Sequence, residues 1–208
     1  SEMCIRDRNI ADVRPIFEWL PVLLIFLSAA LTMRMWSEER RTGTLEFIST
    51  LPISTWEMVV GKFLACFSLL AISLLLTIWL PLSVSMVADL DWGPVFAGYL
   101  AALLLGAAYL SIGLYVSART DSQIVSLIVA SLIGGLFYLI GSPGITQLFG
   151  APVNDLLSSL GSGSRFESIT RGVIDFRDLY FYLSLSAVFL AANVYSLEKE
   201  NWASEGDS

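Results

Sequence analysis

The sequence contains no histidine, which removes the commonest general base and the commonest metal ligand from this protein. It has only two cysteines, Cys4 and Cys66, far apart and outside any CxxC motif, so neither a disulfide scaffold nor a zinc site is expected. Cys66 is expected to be an ordinary residue that faces lipid or another helix. A G-x-S-x-G motif and paired aspartates within the apolar runs are also missing. The sequence therefore offers no machinery for hydrolysis or metal chemistry.

Charged residues are also scarce, at 15% of the chain, whereas 55% of the residues are hydrophobic and the mean hydropathy is +0.70. This balance is typical of a membrane protein. At about 1.5 Å per residue, each of five apolar segments is long enough to cross a hydrocarbon core of about 30 Å. The segments are 16–35, 56–87, 94–117, 123–140 and 179–197. Because lipid offers no partners to backbone groups, we predict an all-α, polytopic bundle of transmembrane helices without a nucleic-acid surface.

Ionisable side chains are nearly absent from the apolar segments. Glu18 and Arg34 stand near segment ends, and Asn193 is the deepest strongly polar residue. A charge at the centre of a bilayer costs about 2.5–3.5 kcal/mol on insertion scales, and ion-coupled carriers tolerate it because their mechanism uses the charge. A proton-coupled carrier is therefore disfavoured.

Two capping patterns and one proline predict local structure. Ser54 and Glu57 form a capping box that starts a helix at Ser54, and Thr120 with Gln123 repeats the pattern. Pro81 lies inside the second apolar segment and is expected to kink it.

Aromatic and small residues predict span ends and helix contacts. Indole side chains prefer the headgroup level, which predicts an interface position for Trp36, Trp56 and Trp92. Small residues spaced by four let another helix approach closely, which predicts helix packing at Gly98, Ala102 and Gly106.

Residues 38–54 form a polar stretch between the first two apolar segments. Its charges come first and are followed by a glycine that allows a turn: Glu38, Glu39, Arg40, Arg41 and Gly43. Leu45, Ile48 and Leu51 then recur at roughly helical spacing before Pro52. We predict a short amphipathic helix at the membrane face. Such a helix either docks in the groove of a partner protein or lies on the lipid headgroups.

Gly61 and Lys62 follow this stretch and require a check for a nucleotide site. A P-loop reads G-x-x-x-x-G-K-[ST], with another glycine five residues before Gly61 and a hydroxyl after the lysine. Trp56 and Phe63 occupy those two positions. The chain is therefore not expected to hydrolyse ATP itself.

The distribution of lysine and arginine predicts an orientation. With 38–57 in the cytoplasm, that side holds Arg34, Arg40, Arg41, Lys62, Arg119 and Lys199. The outer side then holds Arg14, Arg165, Arg171 and Arg177. The excess of positive charge favours a cytoplasmic 38–57 loop.

The segment 142–178 lies on the outer side in this orientation. Its apolar pieces, 145–149 and 153–160, are too short to span and fit interfacial or re-entrant helices. Its GSGS run at 161–164 is interpreted as a flexible turn.

The order and spacing of several motifs resemble a known family. EERRTGTLEFISTLPIS at 38–54 is followed by Glu57 and by GKF at 61–63, and the match continues through 91–126 and 164–185. These motifs are similar to those of ABC-2 type transporter permeases, especially the gliding-motility-associated and NosY-like branch. The resemblance implies the type V exporter fold, in which six spans are expected.

The five spans found here then correspond to a permease that lacks its first span. Residues 1–8 start on Ser1 and resemble translated adapter sequence, so they are expected to be non-native. The chain is interpreted as an N-terminally truncated fragment with a permease domain at 9–199 and a polar tail at 200–208.

The resemblance also implies a function and partners. The chain would be the permease subunit of an ATP-binding cassette exporter in the bacterial inner membrane, paired with a second permease copy in a homo- or heterodimer. A separate ABC ATPase would bind ATP and Mg, and this chain would hold no cofactor. The implied ATPase-coupling residues are Glu38, Glu39, Arg40, Arg41, Gly43, Thr44, Glu46 and Pro52. The alternative is a non-transporting anchor or scaffold that recruits an ATPase.

Overall fold

The computed structural model describes residues 14–44, 53–86, 92–140, 161–170 and 175–205. These ranges contain eight helices: α1 (Arg14–Thr32), α2 (Ser37–Thr42), α3 (Thr55–Thr77), α4 (Trp79–Ser85), α5 (Trp92–Ser117), α6 (Gln123–Ile140), α7 (Ser162–Thr170) and α8 (Phe176–Glu205). The predicted leader 1–8, the pieces 145–149 and 153–160, Glu46 and Pro52 lie outside the described residues.

Five helical stretches are long and apolar enough to cross a membrane: Glu18–Thr42, Thr55–Ser85, Trp92–Ser117, Gln123–Ile140 and Phe176–Lys199. They overlap the five predicted segments, and the largest difference is at the end of the first, where α2 follows α1. Because the described chain is helical throughout its regular elements, the predicted all-α, polytopic bundle is confirmed.

Successive spans run in opposite directions. The start of α3, the end of α5 and the end of α8 therefore meet at the end of the bundle that carries α2, and their side chains share one apolar cluster there. We call this end the α2 end.

Helix α5 lies at the centre of the bundle. It packs against α1, α3, α6, α7 and α8, and its contact with α8 is the most extensive. Gly106 lies against Leu70 of α3, and Gly113 lies against Thr32 of α1, so a Cβ at either position would overlap its neighbour. The small residues of α5 thus let the surrounding helices approach closely. Cys66 is buried in the same core and faces helices.

The second span is interrupted where Pro81 was expected to kink it. Helix α3 ends at Thr77 and α4 begins at Trp79, with Ile78 between them. Proline has no N–H to donate to the carbonyl four residues earlier, here that of Thr77, and its ring crowds that carbonyl. The helix is therefore interrupted three residues before the predicted proline, whereas a bend of the span stays a prediction.

Of the two predicted capping boxes, the first is formed. The Glu57 N–H donates to Ser54 Oγ at 3.3 Å, and the Ser54 N–H donates to Glu57 Oε2 at 3.1 Å. The second prediction is wrong, because the Thr120 hydroxyl accepts from the Ser122 N–H at 3.1 Å instead. This tight turn leaves Thr120 outside the helix, which begins at Gln123.

The prediction of a flexible turn at 161–164 is also wrong, because α7 begins at Ser162. The Tyr182 hydroxyl donates to the Ser162 carbonyl at 2.7 Å, and the Tyr109 and Ser162 hydroxyls are 3.0 Å apart. A Cβ at Gly163 would lie 2.7 Å from the carbonyl oxygen of Tyr138, so only glycine fits there. Contacts from three spans therefore order residues 161–164, although their glycine and serine content alone predicts flexibility.

The start of α7 lies inside the bundle. Ser162 is fully buried, and its partner Tyr109 lies about 25 Å along α5 from Trp92 at about 1.5 Å per residue. Further along α7, Arg165 Nη1 donates to Asp178 Oδ1 at 2.6 Å and its guanidinium lies 4.5 Å from the Phe181 ring centroid. Helix α7 is therefore inserted between spans and tied to the start of α8.

Candidate functional site

Residues 33–36, which we call the joint, connect α1 to α2 at the α2 end. The Met33 N–H donates to the Ala29 carbonyl and the Met35 N–H to the Thr32 carbonyl, so the last turn of α1 continues into the joint. Helix α2 then ends at Gly43, whose φ of 72° is in the left-handed region. Glycine adopts this conformation without steric cost, and its N–H donates to the Arg40 carbonyl at 3.2 Å.

Ser117, at the end of α5, binds the joint through three hydrogen bonds. Its hydroxyl oxygen accepts from the Trp36 N–H at 3.1 Å and the Ser37 N–H at 3.2 Å, and its proton is donated to the Met33 carbonyl at 3.3 Å. N–H groups at the start of a helix have no partner within that helix. One hydroxyl thus uses its donor and both acceptor positions to fix the start of α2 on α5.

Lys62, on α3, also binds the joint and α2. Its ammonium donates to the Met35 carbonyl at 2.6 Å and to Glu39 Oε1 at 2.5 Å. It also lies 4.2 Å from the centroid of the Trp36 ring. A lysine ammonium has three donors and no acceptor, and the carbonyl, the carboxylate and the electron-rich ring face all attract it.

Arg40 connects α2 to the turn between α5 and α6. Its guanidinium donates to the Ala118 carbonyl, and its Nε lies 3.5 Å from Asp121 Oδ1. The Asp121 side chain is 73% exposed, so this ion pair is solvated and worth little by itself. The hydrogen bond from the Arg40 guanidinium to the Ala118 carbonyl requires a defined orientation of the two groups, so it holds α2 beside the turn.

Trp36 is buried in the joint, and its predicted position at the lipid interface is wrong. Its exposed fraction is 1%, and it packs with Val59, Leu114, Ala118, Leu190 and Leu197. The chain turns inward after α1, so the Trp36 indole lies inside the protein with the Lys62 ammonium over its ring. Trp56 and Trp92, which were predicted to lie at the interface as well, are partly exposed.

The predicted coupling residues divide into an inward and an outward group. Glu39 and Arg40 are partly buried and contact Lys62 and Ala118 of the same chain. The exposed group is Glu38, Arg41, Gly43 and Thr44, together with Thr42. Glu39 therefore pairs with its own chain, whereas the coupling role of the whole set stays a prediction.

The predicted packing residues all lie on buried parts of α5. Gly98 and Ala102 are buried, and a Cβ at Gly106 would lie 2.9 Å from two side-chain carbons of Leu70. This contact is between α5 and α3 of one chain. In the described ranges, no three histidine, cysteine, aspartate or glutamate side chains are grouped so that they could hold a metal ion.

Sequence reasoning missed Ser117 and Lys62 as parts of this site. Ser117 had no signal, since a serine near the end of an apolar run commonly bonds its own helix. Lys62 did have one, because it is a cation within a largely apolar span. Such a residue needs a partner, and the structure supplies Glu39.

A model of the family described as "ABC-2 family transporter protein" matches residues 13–175. The chain belongs to this family. The match covers the first four of the five spans and the whole joint, and it ends directly before α8. No curated protein and no solved structure is significantly similar to the chain.

Membership makes this ABC-2 chain a multi-pass membrane component of a transporter. Members of the family are membrane subunits that generally work with an ABC ATPase.

Proposed function

We propose that this ABC-2 chain is the permease subunit of an ATP-binding cassette exporter in the bacterial inner membrane. In the proposed complex it pairs with a second permease, and each receives an ATPase subunit at α2. ATP and Mg bind to the ATPase. The α2 end faces the cytoplasm, and substrate crosses when the spans change arrangement.

The observation that carries the proposal is the two-sided character of residues 37–44. The outward side presents opposite charges, Glu38 and Arg41, whereas on the inward side Glu39 binds α3 and Arg40 binds the turn after α5. A helix that lies on lipid headgroups needs an apolar face, and residues 37–44 include no apolar side chain, while the predicted apolar positions Leu45, Ile48 and Leu51 lie outside the described residues. A polar surface that Glu39 and Arg40 hold in place is suited to contact with a protein.

The proposed mechanism is a rigid-body change. Nucleotide binding closes the ATPase pair and displaces α2, which moves the spans attached to the joint. A ligand shifts such an equilibrium only if its contacts differ between the two states, and the changing contact here is between the ATPase and α2.

Charge reversal on the outward face tests the proposal. The permease is co-expressed with an ABC ATPase partner, as wild type, as Glu38→Lys with Arg41→Glu, and as Glu198→Lys, an exposed control on α8. Exposed ion pairs contribute about 0–1 kcal/mol to folding, so the amount in the membrane should not change. Loss of a charge contact at a desolvated interface costs about 2–5 kcal/mol, so co-purification of the ATPase should fall more than tenfold.

Three outcomes decide the matter. Loss of the ATPase only in the α2 variant supports the proposal. Normal ATPase binding and coupled hydrolysis in all variants excludes the outward face as the docking surface. A wild-type complex in vesicles that hydrolyses ATP but moves no lipid, glycan, peptide or drug from a broad panel would instead indicate an anchor.

A further inference from the structure

Lys62 has no role in a P-loop, yet it places a cation inside an apolar span. We propose that Lys62 is a positioning residue that ties α3 to the joint and α2, so that a displacement of α2 carries α3 with it. This inference rests on the proposed function and adds the route by which the movement enters the membrane.

The contacts of Lys62 suit such a tie because they reach three separate groups beyond α3. The Met35 carbonyl belongs to the joint, the Trp36 ring covers its buried side, and the Glu39 carboxylate belongs to α2. The carbonyls at the end of α1 carry the negative end of its dipole, which favours a cation there. The Lys62 ammonium therefore contacts both the joint after α1 and the first turn of α2.

The burial of this group strengthens the tie. The side chain of Lys62 is 17% exposed and that of Glu39 is 28% exposed. Charged hydrogen bonds out of bulk water are stronger and less screened by salt than surface pairs. Separating α3 from α2 would leave both charges poorly solvated, so the two helices move together.

The joint and α2 have a second, separate connection to the bundle. Ser117 and Arg40 fix the joint and α2 to the end of α5 and to the turn that follows it. Loss of Lys62 therefore leaves α2 attached to α5, and the ATPase docking surface stays in place. Only the transfer of movement from α2 to α3 is lost. A positioning role of Lys62 can therefore be distinguished from a role in ATPase docking.

Lys62→Met is the decisive variant, because it removes the charge and retains an unbranched stem over Trp36. Lys62→Arg keeps the charge, and Glu39→Gln is a second, milder variant that keeps the Met35 contact. Spin labels are placed on cysteines at Thr44 and at Leu64, an exposed residue of α3, in the full-length complex with Cys4 and Cys66 replaced. Distances between the labels are measured with and without a non-hydrolysable ATP analogue and Mg.

The wild type and Lys62→Arg should keep one distance between labels in both states, because α2 and α3 move together. Lys62→Met should bind the ATPase normally, yet its distance should shift by about 2 Å or more on nucleotide binding, a typical helix displacement. Glu39→Gln should give a smaller shift in the same direction. This variant therefore still tests the proposal if the Lys62→Met protein fails to fold. An unchanged distance in a folded Lys62→Met or Glu39→Gln complex would overturn the tie. Failure of the wild type to bind the ATPase would refute the proposed function instead.

Discussion

Gly113→Ala tests the packing of α5 against α1. A Cβ at this position would overlap Thr32 Oγ1 and lie 3.0 Å from Thr32 Cβ and 3.3 Å from Cγ2. Thr32 is fully buried, and its hydroxyl donates to the Ser28 carbonyl at 2.8 Å. The side chain therefore cannot turn away without losing a hydrogen bond inside the bundle.

The expected loss of stability follows from two opposing effects. Overfilling a packed core costs about 1–3 kcal/mol, whereas alanine in place of a helical glycine otherwise gains about 0.5–1 kcal/mol. Because the overlap with Oγ1 is severe, we expect a net loss of about 1–2.5 kcal/mol. At about 2–4 °C per kcal/mol, the unfolding midpoint in detergent should fall by about 2–10 °C.

Two controls make this prediction specific. Gly135→Ala is the same change in α6, but nothing lies within 4 Å of its Cβ, so stability should stay the same or rise. The double variant with Thr32→Ala and Gly113→Ala should lose less stability than the two single variants lose together, and the difference should be about 0.5–3 kcal/mol. Equal midpoints for Gly113→Ala and Gly135→Ala would refute the described contact between α1 and α5.

Three further predictions concern other parts of the chain. Ser54→Ala removes the capping box and should destabilise the protein by about 1 kcal/mol in thermal unfolding, whereas Ser68→Ala, in the exposed middle of α3, should have almost no effect. Asp178→Ala breaks the buried ion pair between α7 and α8 and should cost about 3–5 kcal/mol, far more than Asp175→Ala at an exposed position; similar midpoints would contradict the pairing. In a cysteine-free background, a membrane-impermeant thiol reagent should label Asp175→Cys on intact cells but Thr44→Cys only after permeabilisation, and the reverse pattern would invert the proposed orientation.

Features that depend on neighbouring residues could be predicted from the sequence. The spans follow from the length of apolar runs, since a bilayer of fixed thickness demands them. The interruption before Pro81 follows from the missing N–H, and the cap at Ser54 from two side chains three residues apart. Each of these causes acts within a few residues, so the sequence contains all of the information.

Features that depend on distant residues could not be predicted in this way. Trp36 has the same local context as a tryptophan at the lipid interface, and its burial follows from the inward turn of the joint. The GSGS run is helical because tyrosines from α5 and α8 hold Ser162. Lys62 and Ser117 meet at the joint only because the spans alternate in direction. Tertiary contacts decide these positions, and the pattern of a single segment does not record them.

The central place of α5 has a consequence for biogenesis. Its largest contact is with α8, which follows the other four spans along the chain. During synthesis the surface of α5 that contacts α8 therefore faces lipid, the translocon or a chaperone until α8 has entered the membrane, and the contact joins segments that are far apart in sequence. A chain that stops before residue 176 would insert four spans and still lack the helix that makes the most extensive single contact with α5. Such a product should be recognised and degraded by membrane proteases, although every remaining span is apolar enough to insert.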